Sequence, residues 1–151
     1  MQKTVFYFCF KHKEMIKIKY DMAVMKYISL FETVTRTKVK DCISDNNLIF
    51  VVEPGYLSMA IGKGGVNVKK MENMLKKKIR IIEFNPDVKL FVKNLIYPME
   101  VESIEEEDNV IVIKDPSTKT KGMIIGRDSQ NLNFYKSIAG RYFHIKDIIV
   151  R

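Results

Sequence analysis

An internal repeat constrains the fold of this 151-residue chain more than any other feature. A shift of 64 residues places Gly62 on Gly126 and Lys63 on Arg127. The same shift aligns apolar positions: Met59 with Met123, Ile61 with Ile125, Val68 with Leu132, Met71 with Tyr135 and Ile81 with Ile145. Self-similarity at such a period indicates one supersecondary unit that occurs twice. A unit of about 65 residues is small, so each copy gains stability if it packs against its twin.

The two copies predict the same order of elements: helix, strand, strand, helix, loop, helix, strand. The predicted elements of the first copy are a helix over 22–35, strands over 37–43 and 48–53, a short helix over 56–61, a loop over 62–65, a helix over 66–77 and a strand over 79–84. Those of the second copy are a helix over 88–96, strands over 99–103 and 110–113, a short helix over 120–125, a loop over 126–129, a helix over 131–141 and a strand over 143–150. Asn85 as a helix cap and Pro86 in a first helical turn mark the boundary.

This order predicts an α+β fold with two tandem units, residues 22–85 and residues 86–151. Each unit is expected to form a three-stranded sheet with helices on one face. Residues 1–21 are predicted to be a peripheral N-terminal appendage. Two interpretations of that appendage stay open: an extra strand, or residues that precede a later start at Met15 or Met22.

The charge of the chain is concentrated in the first copy. The formal net charge is +8, and residues 24–85 hold 11 basic and six acidic side chains, whereas residues 86–151 hold ten of each. Excess positive charge favours a polyanionic partner, which we therefore expect at the first unit. No apolar run approaches the roughly 20 residues of a membrane span, and no export signal is evident, so a cytoplasmic location without membrane contact is predicted.

Cysteines and acidic residues give little indication of catalysis or metal binding. Cys9 and Cys42 are too few for a disulfide framework, and Cys42 is predicted to be buried. Cys9 with His12 leaves a zinc site half complete, so neither a metal nor a cofactor is expected. No nucleophile–base set or paired carboxylates stand out. The run Glu105–Asp108 is predicted to be a solvated acidic turn, and the protein is predicted not to be an enzyme.

The glycine-rich loop over 62–65 carries the most specific chemistry in the sequence. Glycines permit a tight turn and close approach of another backbone, and the N–H groups at the start of the next helix favour anions. Lys63 at the loop tip, with Lys69 and Lys70 on the helix, extends the positive potential. The set suits successive phosphates of a nucleic-acid backbone. It is not a P-loop, because Gly64 and not Ser or Thr follows the lysine. A plain helix–helix turn is the structural alternative.

An Ile-Gly-x-x-Gly loop between two helices, after a helix and hairpin and before a last strand, resembles the KH domain. Five stretches together resemble the archaeal NusA-type transcription factors over residues 22–151: residues 26–31, 49–52, 60–68, 91–95 and 124–128. The resemblance implies two tandem KH units that act as one platform for single-stranded RNA. Nothing in the chain resembles the polymerase-binding region or the oligonucleotide-binding barrel of bacterial NusA.

The resemblance also implies which residues bind RNA, since a KH loop clamps about four backbone nucleotides. It assigns the phosphate clamp to Gly62, Lys63, Gly64 and Gly65, contacts to backbone or base edges to Asn67, Lys69 and Lys70, and a weaker second set to Gly126, Arg127 and Lys136. In the second loop, Ser129 replaces a glycine of the motif and Asp128 adds a negative charge. Ser129 is predicted to cap the following helix. Met59, Ile61 and Val68 are predicted to lie in the core.

These inferences predict a non-enzymatic RNA-binding factor that acts on nascent transcripts in elongation, pausing, termination or antitermination. RNA polymerase is a further candidate partner. The alternative is a factor in ribosome assembly or rRNA processing. A protein-interaction module is a third class, for which the neutral second unit is the better candidate.

Overall fold

The computed structural model describes residues 3–9 and 14–151, with side chains from Asp21 onward. From there the chain divides into two compact units, with the boundary in the sequence between Asn85 and Pro86. At the N-terminus, β1 (Lys3–Cys9) and β2 (Glu14–Tyr20) pair as a two-stranded sheet, which agrees with the extra-strand interpretation of this segment. The predicted half-site of Cys9 and His12 lies outside the described side chains.

The first unit places three helices against a three-stranded sheet. Its elements are α1 (Met22–Thr35), β3 (Val39–Ser44), β4 (Leu48–Val52), α2 (Leu57–Ile61), α3 (Val66–Leu75) and β5 (Ile79–Glu83). The strand order is β3–β4–β5, with β4 antiparallel to β3 and parallel to β5. The three helices contact one another as well as the edge strands, so the unit is a two-layer α+β structure.

The core of the first unit forms around β4. All five residues of this strand are buried, as its continuous apolar sequence indicates. Phe50 at its centre stacks on Phe31 of α1 with ring centroids 4.1 Å apart. Helix α1 begins at Met22 because the Asp21 carboxylate accepts a hydrogen bond from the backbone N–H of Val24 at 2.8 Å. The predicted burial of Cys42 on β3 is confirmed, since it is 2% exposed.

The second unit has the same order of elements and the same strand connections. Its elements are α4 (Val88–Ile96), β6 (Ser103–Glu107), β7 (Val110–Lys114), α5 (Thr118–Ile125), α6 (Gln130–Gly140) and β8 (Asp147–Val150). The order is β6–β7–β8, again antiparallel and then parallel. Phe91 of α4 is fully buried against the rings of Tyr142 and Phe143. The cap of α4 is Asp87, which accepts from the Lys89 backbone N–H at 2.8 Å, so the prediction of Asn85 as cap is wrong.

The first strand of the second unit lies four residues later than predicted. The expected strand over 99–103 is absent from this part of the described chain, and β6 instead contains Glu105–Glu107, the run predicted to be an acidic turn. The strand pairing explains the difference, because β7 pairs with residues 103–107 and Lys114 at its end forms an ion pair with Glu105. Glu107 also lies 3.9 Å from Arg151, which follows β8. The Lys114 hydrogen bond lowers the pKa of Glu105.

The turn of this second hairpin is shorter than predicted. Asp108 and Asn109 form it alone, with φ of 50° and 66°. Positive φ at both central residues is the geometry of a two-residue turn whose twist matches the flanking strands. The last strand also differs, because it begins at Asp147 and not at 143. Ile145 therefore lies before β8, and the 64-residue shift fails for the final strand.

Candidate nucleic-acid interface

The glycine loop of the first unit connects α2 to α3 by one tight turn over Lys63–Gly65. Gly62 leaves α2 with φ 76° and ψ 167°, and Gly64 and Gly65 follow with φ of 63° and 73°. These positive φ values are the reason that glycine suits the turn. The Gly62 N–H donates to the Ser58 carbonyl at 3.0 Å, and the Gly65 N–H donates to the Gly62 carbonyl at 3.1 Å.

Two backbone donors at the tip of this loop are unpartnered. Within the part of the chain that the structure describes, neither the Lys63 N–H nor the Gly64 N–H has a hydrogen-bond acceptor. Consecutive N–H groups in a helical-then-left-handed turn form a concave nest for anions, and the start of a ten-residue helix adds its dipole. The loop therefore offers a backbone site for one phosphate.

The loop of the second unit has nearly the same backbone, although two of its glycines are replaced. Gly126 has φ 73° and ψ 172°, Asp128 has φ 51° and ψ 33°, and Ser129 has φ 59° and ψ 22°. The values at the equivalent Gly64 are 63° and 21°. The N–H groups of Arg127 and Asp128 are likewise unpartnered among the described residues.

Ser129 does not act as predicted. It stands at the cap position of α6, but its side chain makes no capping hydrogen bond to any described residue. The reason is its left-handed backbone, because a capping serine needs extended φ and ψ to direct its hydroxyl at the first turn. The loop geometry therefore prevails over the capping preference of the residue.

In both loops an asparagine side chain forms a hydrogen bond to the carbonyl three residues before the first glycine. The Asn67 side-chain amide donates to the Met59 carbonyl at 3.0 Å, and the Asn131 amide donates to the Met123 carbonyl at 2.9 Å. Asn67, predicted to contact RNA, thus has its donor directed at α2. The shift of 64 residues also aligns Asn67 with Asn131, a signal in the sequence that could have identified the second residue.

The cations of the predicted site differ in their availability. Lys63 at the tip of the loop is exposed, as are Lys69 and Lys70 on the first two turns of α3. Arg127 is also exposed, and its Nε lies 4.0 Å from the Asp128 carboxylate, which offsets part of its charge. Lys136 lies about 10 Å along α6 from the loop and is bound to Asp147 of β8 at 2.6 Å. Its hydrogen bond lowers the pKa of Asp147.

Apolar side chains flank the first loop on its solvent side. Met59 is 55% exposed and Val66 is 54% exposed, so the prediction that Met59 lies in the core is wrong. Met59 lies on α2, which has only five residues and buries Ala60 instead. Met123, at the equivalent position of the second unit, is 45% exposed. Exposed apolar groups beside a phosphate site provide contact surface for the flat faces of bases.

The described residues contain neither a helix long and apolar enough to cross a bilayer nor a cluster of three potential metal-binding side chains.

Comparisons with known proteins place these features in a family. The family model of the KH domain matches residues 25–100. A protein of Methanococcus vannielii named probable transcription termination protein NusA is 36% identical over 139 residues, which cover 89% of this chain and 80% of that protein. A protein of the same name from Halobacterium salinarum is 33% identical over 124 residues, which cover 80% and 89%.

A solved structure is also similar to this chain. The crystal structure of APE1850 superposes with a TM-score of 0.72 at 31% sequence identity, and the match covers 87% of this chain and all of that one. A similarity of this extent includes both units and not only the residues that the family model matches.

Proposed function

The chain belongs to the KH domain family and to its archaeal NusA-type members, and we propose that it is a single-stranded RNA-binding transcription factor. It acts on nascent RNA during elongation, termination or antitermination, without catalysis. Each of the two units is a KH domain, residues 22–85 and residues 86–151. RNA polymerase is a further candidate partner, and the cytoplasm is the expected location.

The pair of unpartnered N–H groups at the tip of the first loop carries the proposal. A phosphate needs donors that are already oriented, because water otherwise competes for it, and the Lys63 and Gly64 amides meet this need. Lys63 adds a full charge at the tip, and Lys69 and Lys70 continue it along α3. Gly62 and Gly65 hold the turn, and Asn67 borders it.

The second loop is a weaker site in this proposal. Gly126 and Arg127 present the same backbone geometry, but Asp128 places a negative charge beside the phosphate. Lys136 contributes less than an unpaired lysine would, since Asp147 accepts its hydrogen bond. The first unit therefore supplies most of the affinity.

Crosslinking of the protein to RNA in cells, followed by sequencing of the attached RNA, tests the proposal. We expect reads spread over nascent transcripts, with enrichment near their 3′ ends. Reads confined to precursors of ribosomal RNA would favour the alternative role in ribosome assembly. In solution, the affinity for a single-stranded RNA should fall with salt, with a slope of about −0.7 for each neutralised phosphate. An affinity independent of salt would contradict the phosphate site.

A further inference from the structure

We infer that Asn67 and Asn131 are positioning residues that keep the N–H of the second loop residue, Lys63 or Arg127, unpartnered and available to a phosphate. The inference rests on the proposed function for its consequence in RNA binding, and on the structure alone for its geometry. In both units the asparagine amide donates to a backbone carbonyl, Met59 or Met123. If the helix continued, that carbonyl would accept from a backbone N–H of the loop instead.

The bonding pattern at the end of α2 leads to this role. In a helix each N–H donates to the carbonyl four residues earlier, and the Gly62 N–H still does so with Ser58. The next such bond would run from the Lys63 N–H to the Met59 carbonyl. That carbonyl instead accepts from the Asn67 side chain at 3.0 Å.

The second unit repeats the pattern residue by residue. The Gly126 N–H donates to Gly122 at 2.8 Å, and the next acceptor, the Met123 carbonyl, is bound to the Asn131 amide at 2.9 Å. The Arg127 N–H has no acceptor among the described residues. The same exchange of donors thus occurs in two loops of different sequence that share the first glycine and the asparagine.

The first glycine of each loop gives the asparagine its space. A Cβ on Gly126 would lie 2.7 Å from Cγ and 2.8 Å from Nδ2 of Asn131. A Cβ on Gly62 would lie 3.0 Å from Nδ2 of Asn67 and 2.8 Å from Cγ1 of Val66. Glycine and asparagine are therefore coupled, because the side chain can reach the carbonyl only where no Cβ is present.

A double-mutant cycle on the protein without RNA tests this coupling. Gly126→Ala, Asn131→Ala and the double variant are compared by chemical denaturation of the full chain. Unit two is the better choice, because the three atoms nearest to the added Cβ all belong to Asn131. We expect the double variant to lose less than the sum of the two single losses in unfolding midpoint. Additive losses would overturn the coupling.

Affinity for RNA tests the positioning role. Asn67→Ala should weaken the binding of single-stranded RNA about tenfold, the effect of one lost hydrogen bond at the upper end of its range. The loss should be uniform across oligonucleotides of different sequence. A loss confined to RNAs that carry one particular base would instead identify Asn67 as a base contact and overturn the role.

Asn131→Ala is the matched control. It removes the equivalent bond from the weaker loop, so a merely structural role predicts the same loss of affinity from either variant. Positioning predicts a clearly smaller loss from Asn131→Ala. Equal losses would overturn the inference. If the wild-type protein binds no RNA, the proposed function fails, and the denaturation cycle alone decides the coupling.

Discussion

Replacement of the loop tip by two aspartates tests the phosphate site directly, and the second loop indicates that the fold should tolerate it. In the variant Lys63→Asp/Gly64→Asp, the aspartate introduced at position 64 would stand where Asp128 stands in the other unit, at φ 51° and ψ 33°. A Cβ at Gly64 meets none of the described atoms within 4 Å. The remaining cost is the left-handed backbone, about 1 kcal/mol for a non-glycine residue.

The expected loss of affinity follows from charge. The double variant makes the loop three unit charges more negative. At about 6 Å from a phosphate in water each of these charges contributes about 0.7 kcal/mol, so the sum is about 2 kcal/mol, or about 30-fold in dissociation constant. The loop is exposed, so salt should reduce this difference.

Fluorescence anisotropy with a labelled single-stranded RNA of mixed sequence measures the affinity, and thermal denaturation by circular dichroism checks the fold. Gly64→Asn is the control for the backbone, because asparagine at position 64 has the same shape and backbone strain as aspartate without its charge. We expect it to bind nearly as well as the wild type. The reasoning fails if the double variant keeps its affinity, or if Gly64→Asn loses as much as the charged variant does.

Three further predictions concern the second unit and the core. Asp128→Gly removes one charge and one strained φ, so RNA affinity measured by anisotropy should rise about threefold with no loss of unfolding midpoint; a fall in affinity would contradict this. Because Lys136 lowers the pKa of Asp147, their pair stabilises the fold above the carboxylate's unfolded pKa, and this contribution is lost as pH falls through the lowered value. Asp147→Asn should therefore be less stable at neutral pH and lose less stability on acidification than the wild type in denaturant titrations; parallel pH profiles would argue against the pair. Phe50→Ala should cost about 3–5 kcal/mol in free energy of unfolding, whereas Met74→Ala, at an exposed position, should cost little; equal costs would contradict the assigned core.

Helices α1 and α4 were predictable from apolar periodicity, although their caps, Asp21 and Asp87, were not predicted. The bounds predicted for α1 and α4, 22–35 and 88–96, are those of the structure. Strand β6 was not predictable in this way, because its sequence from Ser103 to Glu107 is largely acidic. Its formation depends on pairing with the apolar strand β7, which places Lys114 beside Glu105 only once the hairpin has formed.

The candidate site was predictable in its location but not in its hydrogen bonds. Glycine spacing and the nearby lysines identify the loop. The unpartnered amide of Lys63 cannot be read from residue types, because it depends on which donor reaches the Met59 carbonyl. A comparison of the two copies at a shift of 64 residues could have drawn attention to Asn67, since the residue is retained where neighbouring lysines are not.

The two loops together separate what the turn requires from what it merely tolerates. The third and fourth loop positions have positive φ in both units, yet Asp128 and Ser129 occupy them in the second, so the fold tolerates their backbone strain. The first position is glycine in both, because its φ and ψ, 76° and 167° at Gly62 and 73° and 172° at Gly126, lie in a region that essentially only glycine adopts. A Cβ there would also meet the asparagine side chain. Sequence change at the tip thus alters charge and leaves the backbone donors in place. It follows that the difference in RNA affinity expected between the two units is electrostatic, and that it should shrink as salt concentration rises.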